Sequence, residues 1–207
     1  MPIISYEDLN EMQRDALKEI GNIGSGNAAS ALSSMLGKPV DIAVPSVKVL
    51  DYQTVVNKLG GPEQLLAGLL FSLSGEVTGM IMFLLQKEFA NMVVSTLLGT
   101  EMPENISGDE MSESAIREVG NIMAASYVNA INALTGLEIN ISVPSLSVDM
   151  AGSILSVPAI YFADISDKII FIEDELDPSI GQAASHVLLI PEVESLQKIM
   201  DSLGLNG

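Results

Sequence analysis

Apolar residues return at helical spacing twice along this chain, as Ala16, Leu17, Ile20 and Ile23 and again as Ala115, Ile116, Val119 and Ile122. That period predicts two long helices. Ser5, standing before Asp8, and Ser112 are the N-cap candidates, and Gly37 and Gly136 mark the ends. After each helix the rhythm changes to alternation of β-branched and polar residues, over 39–49 and 138–148, which predicts a strand. Pro45 and Pro144 fall near the middle of these stretches, so each strand should end, bulge or lie at a sheet edge there. A short helix or turn is expected over 52–59 and over 149–165. Apolar hairpins follow over 65–85 and 168–190, then closing helices over 87–98 and 192–203, stopped by Gly99 and Gly204.

The parallel reading has a simple cause. Shifted by 99 residues, the sequence lays Glu19 on Glu118, Gly21 on Gly120, Asn22 on Asn121, Gly37 on Gly136 and Pro45 on Pro144, and eleven of the 31 positions from Glu19 to Val49 are identical without a gap. The chain is a duplication, with repeats of about 5–99 and 112–204 expected to form a single domain. Gly99 and Gly204 correspond at an offset of 105, so the second copy carries six extra residues, expected in its hairpin loop. Six strands and two long helices do not alternate as parallel units would. The expected fold is α+β, a pseudo-twofold duplication sharing one largely antiparallel six-stranded sheet.

Composition narrows the chemistry. Net charge is -18, from 27 acidic and 9 basic side chains, which repels nucleic acid and anionic lipid. Only 4% of residues are aromatic, so a base-stacking surface is not expected. Cysteine is absent, which removes thiol catalysis and thiolate metal sites. No basic, then apolar, export signal opens the chain, and no apolar run approaches the roughly 20 residues that a membrane helix needs. A soluble cytoplasmic protein without membrane insertion is expected.

On the first long helix Asp15, Glu19 and Asn22 stand at i, i+4 and i+7, and Ser114, Glu118 and Asn121 repeat the spacing on the second. This stacks them on one face, away from the apolar positions. A solvated helix face would explain one such set. Two sets, each with glycine beside the asparagine at a helix-propensity cost of about 1 kcal/mol, ask for more. The glycines fit either close approach by another surface or packing of the two helices on each other. The run "GNIGSG" is not a phosphate loop, since its spacing is wrong and no strand precedes it. A carboxylate pair such as Asp15 and Glu19 is not kept in the second copy, and the single histidine, His186, lies in a predicted strand and reads as structural. What recurs is Glu plus Asn. A carboxamide can accept a hydrogen bond from water while donating one to a phosphoryl oxygen, so it can align water with a phosphorus that another protein activates. The glutamate could pair with a lysine of that protein and set its register.

The pattern Asp/Ser-x3-Glu-x2-Asn-x22-Pro, met as Asp15, Glu19, Asn22, Pro45 and as Ser114, Glu118, Asn121, Pro144, resembles the signature of the CheC family of chemotaxis phosphatases, which also includes CheX and FliY. The resemblance covers nearly the whole chain. It implies hydrolysis of the aspartyl phosphate on the response regulator CheY, with Asn22 and Asn121 orienting water and Glu19 and Glu118 engaging the receiver's lysine. Asp15, Ser114, Pro45 and Pro144 would support the motif. No metal or cofactor of its own is implied, since Mg2+ comes with the receiver. It also suggests the receptor deamidase CheD as a partner, through Asp149, Met150 and Ile154. The alternative is a non-catalytic adaptor that sequesters phosphorylated CheY or binds CheD.

Overall fold

The computed structural model describes residues 3–40, 46–101, 103, 106–161, 168–175 and 184–206. A single 3-10 turn, Tyr6–Asp8, leads into α1 (Glu11–Leu36). The first copy continues with β1 (Ser46–Asp51), α2 (Tyr52–Lys58), the hairpin β2 (Leu65–Gly75) and β3 (Gly79–Gln86), and α3 (Lys87–Leu98). The second contains α4 (Glu110–Thr135), β4 (Ile139–Ile141), β5 (Ser145–Met150), α5 (Ala151–Tyr161), β6 (Lys168–Glu175), β7 (Ala184–Pro191) and α6 (Val193–Ser202). This is the α+β arrangement that the periodicity predicts.

The predicted N-caps are displaced. Ser5 caps the 3-10 turn, whereas α1 starts at Asn10, whose side chain accepts from the Gln13 N–H while the Gln13 side chain accepts from the Asn10 N–H. On α4 the cap is Asp109, which accepts from the Ser112 N–H at 3.1 Å and from the Ser112 hydroxyl. Ser112 therefore lies inside the first turn. Both helices end as expected, at Gly37 (φ 63°) and Gly136 (φ 74°), in the left-handed conformation that glycine adopts without a Cβ penalty.

One sheet runs in the order β1-β6-β7-β3-β2, with β4 and β5 both along the free edge of β2, and every pairing is antiparallel. A seventh strand arises because the stretch containing Pro144 is broken in two. Across the break Ser142 donates its N–H to the Ser72 carbonyl, and its hydroxyl accepts from the Ser72 N–H, which keeps both on the β2 edge. Pro144 sits between the two segments, at an edge as expected; Pro45, its counterpart, lies outside the described residues. The two copies exchange strands. β1 of the first pairs with β6 of the second, β5 of the second pairs with β2 of the first, and β3 meets β7 at the centre.

This register relocates four of the six extra residues. Ser46 faces Glu173 and Ser145 faces Leu70, so Leu70 and Glu173 correspond at an offset of 103, four beyond the 99 that relates Ser46 to Ser145. Four of the six therefore precede β6. They lie where α5 has 11 residues and α2 has 7, not in the hairpin loop.

Neighbouring residues of β2 show how the layers form. A Cβ on Gly120 of α4 would meet Leu69, and one on Gly68 would meet Ile154 of α5, so α4 and α5 cover opposite faces of the sheet. Between them lies an aliphatic core with few rings, notably Phe71, Phe83 and Tyr127 in successive edge-to-face contact at 6.1 and 5.8 Å. No described helix is long and apolar enough to cross a membrane.

Candidate functional site

α1 and α4 pack against each other with opposed directions: Gly24 lies against the Tyr127 ring, whereas Met35, further along α1, shares a hollow with Met111 and Ala115 at the start of α4. A Cβ on Gly24 would stand 2.7 Å from Tyr127 Cδ1, and one on Gly120 would stand 2.8 Å from Leu69 Cδ1. Packing thus accounts for Gly24, between the helices, and for Gly120, the glycine beside Asn121, against the sheet. Gly26 is exposed in open space, and no contact explains it.

Leu17 and Ile20 on α1, with Ala115, Ile116 and Val119 on α4, are buried as the core face. The opposite face carries the motif. Asp15, Glu19, Ser114 and Glu118 are exposed, while Asn22 and Asn121 are half-buried at the foot of each acidic ridge. Among the described residues Glu19 and Glu118 form no ion pair, so each carboxylate is available to an incoming cation. Elsewhere on α4 the nearest basic group is committed, because Arg117 pairs with Glu113 at 3.0 Å.

Asn22 is the unusual member. Its Oδ1 is buried and has no hydrogen-bond partner among the described residues, a state that costs about 1–3 kcal/mol and that native structures seldom keep without a reason. Rotation of a terminal amide by half a turn exchanges its oxygen and nitrogen. A half-buried carboxamide so placed can present either a donor or an acceptor at the surface.

No group of three or more His, Asp or Glu side chains among the described residues could hold a metal ion. His186 lies in β7, far from this chemistry, stacked on Phe171 at 5.3 Å; burial pushes its pKa down to about 4, so it is a neutral core residue.

At the other sheet face Asp149, next to last in β5, holds the start of α5, accepting from the Met150 N–H at 2.7 Å and the Ser153 hydroxyl at 2.8 Å. The first of these bonds, with the second, lowers its pKa. Ile154 is buried against Gly68 and cannot belong to an outward surface. The exposed apolar surface here is made by Met150, at the end of β5, and by Val157 and Ile160 on α5, the last two lying past the predicted residues.

Beside the second motif lies a feature that the helical periodicity does not announce. An open hollow of about 620 Å³ is lined by Met35, Leu97, Leu98, Met111 and Ala115, with Ser114 and Glu118 in its wall. Its one sequence signal is the recurrence of methionine at 12 and 111, again 99 residues apart.

The architecture is shared with Thermotoga maritima FliY, whose crystal structure superposes with a TM-score of 0.74 at 22% identity, covering 95% of this chain and 98% of that one. Sequence narrows the class. The model of the CheC-like family matches residues 12–49 and 111–148, two windows related by the 99-residue repeat. The CheY-P phosphatase CheC of Bacillus subtilis is 32% identical over 203 residues, spanning 96% of this chain and 97% of that protein. The flagellar motor switch phosphatase FliY of the same organism is 30% identical over 147 residues, 70% of this chain and 38% of its own length. The chain belongs to the CheC-like family.

Proposed function

We propose that this protein is a phosphatase acting on phosphorylated CheY, hydrolysing the aspartyl phosphate of its receiver domain. The observation that carries the reading is the pair of ridges on α1 and α4, each with an exposed carboxylate above a half-buried carboxamide. Glu19 or Glu118 accepts the ammonium of the receiver's lysine. Asn22 or Asn121 then lies one helical turn further along the same face; the Asn121 amide can accept from a water and donate to a phosphoryl oxygen, and the Asn22 amide does the same once rotation brings its buried Oδ1 outward. The water oxygen forms the new bond to phosphorus, the bond from phosphorus to the aspartyl oxygen breaks, and the carboxylate is restored. Mg2+ belongs to the substrate, bound by the receiver, and stabilises charge on the phosphoryl oxygens. Alignment of the water is the contribution of this chain. Asp15, Ser114 and Pro144 support the ridge and the strand that follows it.

The test is phosphate release from a phosphorylated, Mg2+-loaded receiver. Asn22→Ala with Asn121→Ala abolishes the acceleration while the fold persists; hydrolysis at the parent rate in that double variant rejects the role of the amides.

The exposed apolar surface at the end of β5 and on α5 favours a second, compatible reading, in which CheD docks there through Met150, Val157 and Ile160 while Asp149 fixes the helix start. A titration with CheD that is unchanged by Ile160→Ser would remove it.

A further inference from the structure

On α4 the side chain of Met111 precedes Ser114 by three residues and Glu118 by seven, so it stands on the motif face, one turn nearer the helix start. Met12 holds the same place relative to Asp15 and Glu19 on α1. The two are exposed to nearly the same degree, 66% for Met12 and 64% for Met111. A single exposed apolar side chain is ordinary. The same one at the same place in both copies, beside the same acid, is not accounted for by packing within the chain.

At α4 the methionine is part of a larger surface. Met111 borders the hollow that Met35 from the end of α1 and Leu97 and Leu98 from the end of α3 complete, and Glu118 stands in its wall. Any body that reaches Glu118 lies over this hollow. The same rim is only partly built at α1: Leu134 is the counterpart of Met35, but under the 105-residue offset Ser202 replaces Leu97.

We propose that Met111 and its hollow, and to a smaller extent Met12, are apolar docking elements for the phosphorylated receiver, setting how tightly it is held at each ridge. This rests on the phosphatase reading. The occupant follows from continuity: the hollow and the motif share Ser114 and Glu118, so one partner covers both. Charge agrees, since a chain of net charge -18 favours a partner face carrying a lysine, and apolar groups flanking that lysine add burial without adding like charge. Methionine suits a contact that must form and release every turnover, being unbranched and adaptable.

The test places Met111→Ser and Met111→Leu in an Asn22→Ala background, where only the α4 ridge works, and measures phosphate release against receiver concentration. Met111→Ser raises KM by about five- to tenfold with kcat unchanged, as expected for lost uniform binding of a partly buried side chain, and Met111→Leu stays near the parent value. Met12→Ser in the Asn121→Ala background gives a smaller rise. Titration with a receiver carrying beryllium trifluoride reads the same losses as Kd. An unchanged KM and Kd in Met111→Ser, or a fall in kcat alone, overturns the proposal and leaves the phosphatase reading standing. Concentration-dependent dimerisation that Met111→Ser abolishes also overturns it, by assigning the hollow to a second copy. If the parent chain neither binds nor hydrolyses the phosphorylated receiver, both readings fall together.

Discussion

The hydroxyl of Tyr127 on α4 lies 2.7 Å from the Ser25 hydroxyl on α1, and its ring lies where Gly24 leaves room. This joint locks the two motif-bearing helices together at mid-length, so the spacing of the ridges depends on a residue with no side chain.

Two glycines two positions apart should respond in opposite ways. Gly24→Ala forces a Cβ to within 2.7 Å of the Tyr127 ring and is expected to destabilise by about 1–2 kcal/mol, the overpacking cost exceeding the gain in helix propensity. Gly26→Ala meets nothing within 4 Å and is expected to stabilise by roughly 0.5–1 kcal/mol. Denaturant unfolding of the two variants decides whether Gly24 alone of this pair, or Gly26 as well, is needed for packing.

Asn22→Ala should cost function and improve stability. It removes a buried oxygen without a described partner and replaces a mediocre helix residue with the best one, for a gain of about 1–2 kcal/mol. Phosphate release through the α1 ridge is lost in the same variant. A fall in unfolding free energy would mean that the amide is structural, contrary to the proposed role.

Cutting the chain between Gly99 and Glu110 should not produce two folded halves. β1 has its partner β6 in the second copy and β5 has its partner β2 in the first, so each fragment lacks the strand that completes its edge. Separately expressed fragments are expected to lack cooperative thermal transitions, and mixing them is expected to restore one. Cooperative unfolding of either fragment alone would count against this.

His186 makes stability depend on pH in a defined window. Its pKa falls from 6.5 to about 4 on folding, chiefly by burial, so between these values the unfolded chain binds the extra proton. Stability contributed by the neutral imidazole is therefore present above pH 6.5, is lost as pH falls, and levels off near pH 4, a span on the order of 3 kcal/mol. His186→Leu should flatten the difference in unfolding free energy between pH 7 and pH 5; an unchanged slope would place the proton elsewhere.

The motif was legible because its signal is local and doubled. Glu19, Asn22, Glu118 and Asn121 sit at helical spacing opposite apolar positions, and helix geometry alone puts them on the outer face. Glycine stops at 37, 99, 136 and 204 are local in the same sense. The N-caps at Asn10 and Asp109 are not legible in the sequence, because several polar residues, Ser5 and Ser112 among them, compete near each helix start and only the hydrogen bonds choose between them. The burial of Ile154 is not legible in the sequence, because nothing in a short apolar helix tells its buried side from its exposed one without the strand beneath, here Gly68.

The chain by itself determined the duplication, the α+β order of elements, the disturbance of a strand at its proline and the two Glu-Asn faces, since all follow from periodicity, spacing and backbone restrictions within a few residues. Tertiary structure alone decided which strand pairs with which, where four of the extra residues of the second copy reside, that the Asn22 oxygen is buried without a described partner, and that Met35, Leu97 and Met111 meet beside Glu118. Those relations join residues tens of positions apart. Their energies come from shared burial and sheet register, quantities that exist only after the two copies have closed around one core.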